Sequence, residues 1–191
     1  MKIGLSGNNF LIEKDIVERN GDRRQVSPLE RIETKLDWRA NFPAGKPTAP
    51  GMPTGKENFP SMLPAGEREV LRLTNRERAK KGIRPLVWGE DLARAARYHA
   101  ADMAYDHYFN HASFDRREGR LIRLGIEFAR IRRFDGKGSA ENIALTPTDS
   151  AEEVVKRWME SPSHRANILN PANLRVGIGF CGGYWVQDFG W

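Results

Sequence analysis

Four histidines hold all the imidazole in this chain, so each can be weighed for the chemistry it can do. His99 falls with Leu92, Ala95, Ala96, Ala100 and Met103 on the apolar side of a helical repeat, where a hydrogen-bonded core histidine is the expected role. His107 closes that repeat, a place where an imidazolium meets the negative end of the helix dipole. His111 follows Tyr108-Phe109 in a loop, and His164 lies in the first turn of a segment opened by Ser161-Pro162. At such a helix start the partial positive charge keeps an imidazole neutral, ready to serve as a ligand or a base. The 53 residues between His111 and His164 leave their proximity open. Glu141 is an acid inside the otherwise uncharged run 139–145. In a half-buried strand such a carboxylate needs a histidine or a metal as partner, whereas a surface-facing glutamate on an edge strand needs neither, and both readings stand. Cys181 is the only cysteine, so no intrachain disulfide forms, and beside glycines in an apolar run its expected role is core packing.

The elements that must position these groups begin near Glu67. Asn41 to Gly66 carries six prolines and several glycines, the composition of a linker or an extended strap. Residues 1–66 are therefore read as a weakly structured arm, with one short amphipathic helix around Leu29, Ile32 and Leu36, and residues 67–191 as the domain. Within it, helices are expected over Glu67 to Lys81, Asp91 to Asp106, Ser150 to Met159 and Ser161 to Leu169, with a third short helix over Asp115 to Gly125. Ser161 is read as a helix cap, accepting from an exposed backbone N–H. Leu174 to Cys181 and Tyr184 to Trp191 read as strands joined by Gly182-Gly183, a hairpin turn, and Ser139 to Leu145 supplies a further strand. Helices packed over a small, mostly antiparallel sheet are the expected architecture, an α+β fold.

Several stretches, in order, carry a resemblance. They are Asn75-Arg76-Glu77-Arg78, Leu86-Val87-Trp88, Asp102-Met103-Ala104, Phe109-Asn110-His111, Glu141-Asn142-Ile143-Ala144, the long run Trp158 to Leu169, Val176-Gly177-Ile178-Gly179 and Tyr184 to Gly190. Together they resemble the CAP superfamily of cysteine-rich secretory, antigen 5 and pathogenesis-related proteins, in its bacterial, disulfide-free branch. The resemblance implies a three-layer α-β-α sandwich with a shallow pocket lined by His111, Glu141 and His164. It also implies that His111 and His164 can hold a divalent metal, zinc foremost, with positions left open for water. Three positions depart from the family pattern: Ala140 stands where glycine is usual, Arg116 replaces a glycine after Asp115, and Ser161 replaces a second glutamate. Asn142 and Asn167 are expected to satisfy backbone groups.

The expected function is a binding module for a metal ion and a small or lipidic ligand, without turnover. The alternative is a metal-assisted hydrolase with Glu141 as general base. A third reading is an adaptor whose Pro-rich arm or Arg-rich segment, Arg116 to Arg133, contacts a polyanion; the acids Asp115, Glu118, Glu127 and Asp135 interleaved with that segment weaken it. The net charge of +6 and pI near 9.7 come from dispersed Arg and Lys, so specific nucleic-acid binding is not expected. No stretch approaches the roughly 20 apolar residues of a membrane span. The first residues also lack the unbroken apolar run of about 7–15 residues that a secretion signal needs, although the resemblance implies export.

Overall fold

The computed structural model describes residues 52–191 and two short paired strands nearer the start, β1 (Ile16–Arg19) and β2 (Asp22–Gln25). The helix expected around Leu29 to Leu36 lies outside the described residues. Pro64 occupies the first turn of α1 (Pro64–Ala79), where its missing N–H costs nothing. The chain then passes through β3 (Val87–Trp88) into α2 (Glu90–Asp106), whose alanine-rich face is buried along its length. His107 ends α2 in the left-handed conformation, φ 52°. Residues 113–125 form a hairpin, β4 (Ser113–Arg117) and β5 (Arg120–Gly125), where a helix was expected. The reason is local: Glu118 and Gly119 both hold positive φ, 49° and 78°, the geometry of a tight two-residue hairpin turn, which reverses the chain. A short helix not anticipated from sequence, α3 (Glu127–Arg133), follows.

The remaining elements are β6 (Gly138–Leu145), α4 (Ala151–Glu160), α5 (Pro162–Ile168), β7 (Arg175–Cys181) and β8 (Tyr184–Gly190). Four strands form one sheet in the order β3-β7-β8-β6. Its β3–β7 pair is parallel and its other pairs are antiparallel. Gly182 and Gly183 make the β7–β8 turn at φ 55° and 88°. Ser150 caps α4 by accepting from the Glu153 N–H at 3.2 Å. Ser161 occupies the corresponding place before α5, but its hydroxyl meets Ser163 Oγ at 3.3 Å and no backbone N–H, a correction to the expected cap.

Strand alternation divides the core between the two faces of the sheet. Ile143, Cys181, Tyr184 and Val186 pack against α2, with Phe59, Ile131 and Phe134 beside them. Val176, Ile178, Phe180, Trp185 and Phe189 pack against α1 and α4 through Val70, Leu73, Val154 and Trp158. This is the three-layer α-β-α sandwich. Residues 52–63, counted with the arm from sequence, lie against it: Phe59 stacks edge-on to Tyr98 at 5.7 Å, and Arg94 donates to the carbonyls of Gly55 and Glu57.

Arg78, fully buried on α1, ties the layers at one end. Its guanidinium donates to the carbonyls of Arg84, Ile168, Asn170 and Asn173. The last three are orphan acceptors at the end of α5 and in the loop after it, and the Arg84 carbonyl lies in the loop after α1; burial would otherwise leave them unpaired. Arg78→Met should therefore cost about 3 kcal/mol in chemical denaturation, from several lost charge-assisted hydrogen bonds. A cost under about 1 kcal/mol would mean that water replaces the guanidinium.

Candidate functional site

β6 is an edge strand, and the candidate site is built around it. Its outward carbonyls are met by side chains: Trp158 Nε1 donates to Ile143 O at 3.2 Å, and Asn167 Nδ2 reaches Glu141 O at 3.4 Å. Glu141 points toward the α2 layer, on the side of Ile143, and is buried. Its Oε1 accepts from His111 Nδ1 at 2.8 Å, and its Oε2 is ion-paired with Arg130 of α3. Arg130 also donates to Ser113 Oγ at 2.8 Å and to the His111 carbonyl at 3.2 Å. One fully buried guanidinium thus fixes both the strand carboxylate and the histidine loop.

Burial alone would push the Glu141 carboxyl up. The Arg130 charge and the His111 hydrogen bond overcome this and hold it down at about 2. With Glu141 ionised, His111 Nδ1 can only donate, which leaves His111 Nε2 as the free nitrogen of a half-exposed ring. The same hydrogen bond raises the pKa of His111 against the opposing effect of its burial. Directly across the ladder from Glu141 stands Asp188, also buried. Burial and the Glu141 charge push its carboxyl well above the carboxylate range, so it is kept neutral beside an ionised neighbour.

His164 reaches the same strand from the other layer. Its carbonyl accepts from Asn142 Nδ2 at 3.2 Å, and Asn167 Nδ2 donates to Asn142 Oδ1 at 2.8 Å. Asn142 also donates to Gln187 Oε1 at 3.2 Å, and Gln187 donates to Thr74 Oγ1 at 3.0 Å, tying α1, β8, β6 and α5 together. The two asparagines therefore serve the backbone of Glu141 and His164, as their types imply. Burial lowers the pKa of His164 and the nearby His111 lowers it further, so His164 is the neutral imidazole of the two. His99 stands apart. It is fully buried, donates from Nε2 to Asn110 O at 2.9 Å, and is held down to about 3 by burial and then by Arg130. Cys181 is a buried free thiol pushed up to about 12, the inert core residue expected.

His111 and Glu141 are thus in direct contact, and His164 lies within electrostatic reach of His111. Missing from the sequence reading were Arg130 and Asp188. Phe128 and Ile131 at helical spacing mark the short helix that carries Arg130. A metal here would be limited to the two imidazoles. Both Glu141 oxygens are engaged, and among the described residues no group of three or more His, Cys, Asp or Glu is arranged around an ion. The donor types present, two imidazoles with a carboxylate behind one of them, are those that a zinc-like ion completed by water or ligand oxygens would take.

A model of the Cysteine-rich secretory protein family matches residues 71–189. The uncharacterized protein YkwD of Bacillus subtilis is 33% identical over 94% of this chain and 70% of its own length. The uncharacterized membrane protein YlbC of the same organism is 30% identical over 70% of this chain, which spans only 36% of it. Among solved structures, an extracellular protein containing an SCP domain from Bacillus anthracis superposes with TM-score 0.58 at 26% identity, over 66% of this chain and 40% of that one. An outer surface protein of Borrelia burgdorferi, 16% identical, shares the fold at TM-score 0.53 over 67% of this chain and 94% of that one. No helix of the described residues is long and apolar enough to cross a membrane.

Proposed function

The chain belongs to the cysteine-rich secretory protein family, and from that membership we propose that it is a binding module whose pocket is formed by His111 and His164 over Glu141. The observation that carries this reading is the occupancy of Glu141. A buried carboxylate held at about 2, paired with Arg130 and accepting from His111, has little basicity with which to activate water, so it orients an imidazole instead. That favours binding over hydrolysis.

His111 Nε2 and His164 would hold a divalent ion, zinc foremost, and a small or lipidic ligand would complete the pocket. A bound ion would supply a Lewis-acid contact for a ligand oxygen. An extracytoplasmic setting is part of the same reading, supported by the family and by the relative described as extracellular.

Protons and metal compete for His111. Its raised pKa means that the ion pair with Glu141 is fully present below the ordinary histidine range and is lost as pH rises through the folded value. Zinc affinity should run the other way. Calorimetric titration should show one ion bound near pH 8, with affinity falling as His111 protonates. His111→Ala and His164→Ala should each weaken binding at least about 10-fold, and Glu141→Gln about 10-fold, because the amide still accepts from His111 but puts no negative charge behind it. If the wild-type protein binds no zinc near pH 8, the metal part of this reading is wrong.

A further inference from the structure

The loop that carries His111 has no ladder to hold it. Residues 109–112 lie in no helix or strand and make no backbone–backbone hydrogen bond among the described residues. Phe109, Asn110 and His111 are all exposed, so burial does not fix them either. Side chains must hold this backbone. Asn110 Oδ1 accepts from the Ala112 N–H at 2.9 Å, a local turn that shapes the loop without attaching it to the domain. Attachment comes from beneath, where two fully buried donors meet two consecutive carbonyls. His99 of α2 donates to Asn110 O at 2.9 Å, and Arg130 of α3 donates to His111 O at 3.2 Å. The first carbonyl belongs to the planar peptide entering His111 and the second to the one leaving it. Fixing both planes fixes the backbone from which the His111 ring projects.

Arg130 has other partners, Ser113 and Glu141. His99 has none among the described residues. A carbonyl oxygen can only accept, so His99 Nε2 carries the hydrogen. Burial, and then the Arg130 charge, keep the ring neutral, which leaves Nδ1 bare. That nitrogen is buried and unpartnered, and Asp102 Oδ2, at 4.0 Å, is beyond hydrogen-bonding distance. An imidazole buried with one nitrogen unpaired is costly on the apolar face of α2, where leucine would carry no such cost. What leucine cannot supply is the N–H aimed at Asn110.

We propose that His99 is a positioning residue for the pocket: its N–H, donated to Asn110 O, sets the backbone of His111 so that Nδ1 meets Glu141 and Nε2 faces the pocket. Its consequence for binding rests on the pocket reading above, whereas its effect on the His111 ring does not.

Proton–nitrogen correlation spectra of the imidazoles, recorded above the histidine range near pH 9, test this together with calorimetric zinc titration. In the wild type His99 should be the Nε2–H tautomer and His111 the Nδ1–H tautomer. His99→Leu should leave His111 averaging between tautomers and weaken zinc binding at least about 10-fold. His99→Asn, polar but too short to reach Asn110, should do the same. His99→Gln, whose amide can donate to that carbonyl, should keep the His111 tautomer and bind zinc within about 3-fold of wild type. A role confined to packing would make affinity follow Tm across the variants, whereas positioning makes it follow the donor. The proposal is overturned if wild-type His99 is the Nδ1–H tautomer, a result that requires no variant to fold. It is also overturned if His99→Leu keeps the wild-type His111 tautomer, or if His99→Gln loses as much as His99→Leu. Should the wild type bind no zinc, the pocket reading fails and the His111 tautomer still decides the positioning.

Discussion

Arg130→Met should lower the unfolding free energy by about 3–5 kcal/mol, because it strands a buried carboxylate that no water reaches. Glu141 and Arg130 are both buried, and each is the other's counter-charge. Removing the guanidinium also releases Ser113 Oγ and the His111 carbonyl, so the loop bearing His111 loses its anchor. The pH dependence gives an independent readout. In the wild type, Glu141 contributes stability that is fully present above its ordinary pKa near 4.5 and is lost as pH falls toward about 2. Without Arg130, burial becomes the dominant influence on the carboxyl and drives its pKa up, so the acid-sensitive window moves to higher pH. Arg130→Met combined with Glu141→Gln should recover part of the loss, since the stranded charge is gone and the amide oxygen can still accept from His111. Urea titrations across pH check all three. A single-variant loss below about 1 kcal/mol, with no shift of the acid limb, would show that the pair is hydrated and does not organise the site.

The same pair shows where legibility in the sequence ended. Helix faces and strand alternation follow local periodicity, so the alanine face of α2, the strand around Glu141 and the diglycine turn were readable. The hairpin at 113–125 was not. Leu121, Ile122 and Leu124 satisfy no single period, and the decisive feature is a pair of left-handed residues, one of them Glu118, whose type does not announce that conformation. His111, Glu141 and His164 were located through a family pattern, not through spacing. What neutralises Glu141 depended on a residue eleven positions upstream in a helix too short to be prominent. Contact between Arg130 and Glu141 requires α3 to fold back over β6, and that is a property of topology. The neutral state of Asp188 depends likewise on strand register, since only the antiparallel pairing of β6 with β8 places it opposite Glu141.

Gly179→Ala should be about as damaging, by at least about 3 kcal/mol or roughly 10 °C in Tm, although it adds one methyl group and removes no charge. A Cβ at Gly179 would lie 2.2 Å from Arg97 N, and one at Gly177 would lie 2.0 Å from Ala93 N. Glycines two apart on a strand are separated by about 6.6 Å, and residues four apart on a helix by about 6 Å of rise. The repeat Gly177-Ile178-Gly179 therefore gives α2 a bed along β7 in which successive turns sit directly on the sheet. The obstacle is helix backbone, so trimming a neighbouring side chain cannot relieve it. Ala96→Gly should fail to rescue Gly179→Ala, whereas it would rescue a clash between side chains. Relief is available only by lifting α2, which opens the layer holding Met103, Ile143 and Val186 and draws away the end of α2 from which the His111 loop departs. Loss of stability and loss of pocket binding should therefore appear together in this variant. A folded Gly179→Ala protein with wild-type Tm would show that the helix rides higher on the sheet than these distances describe.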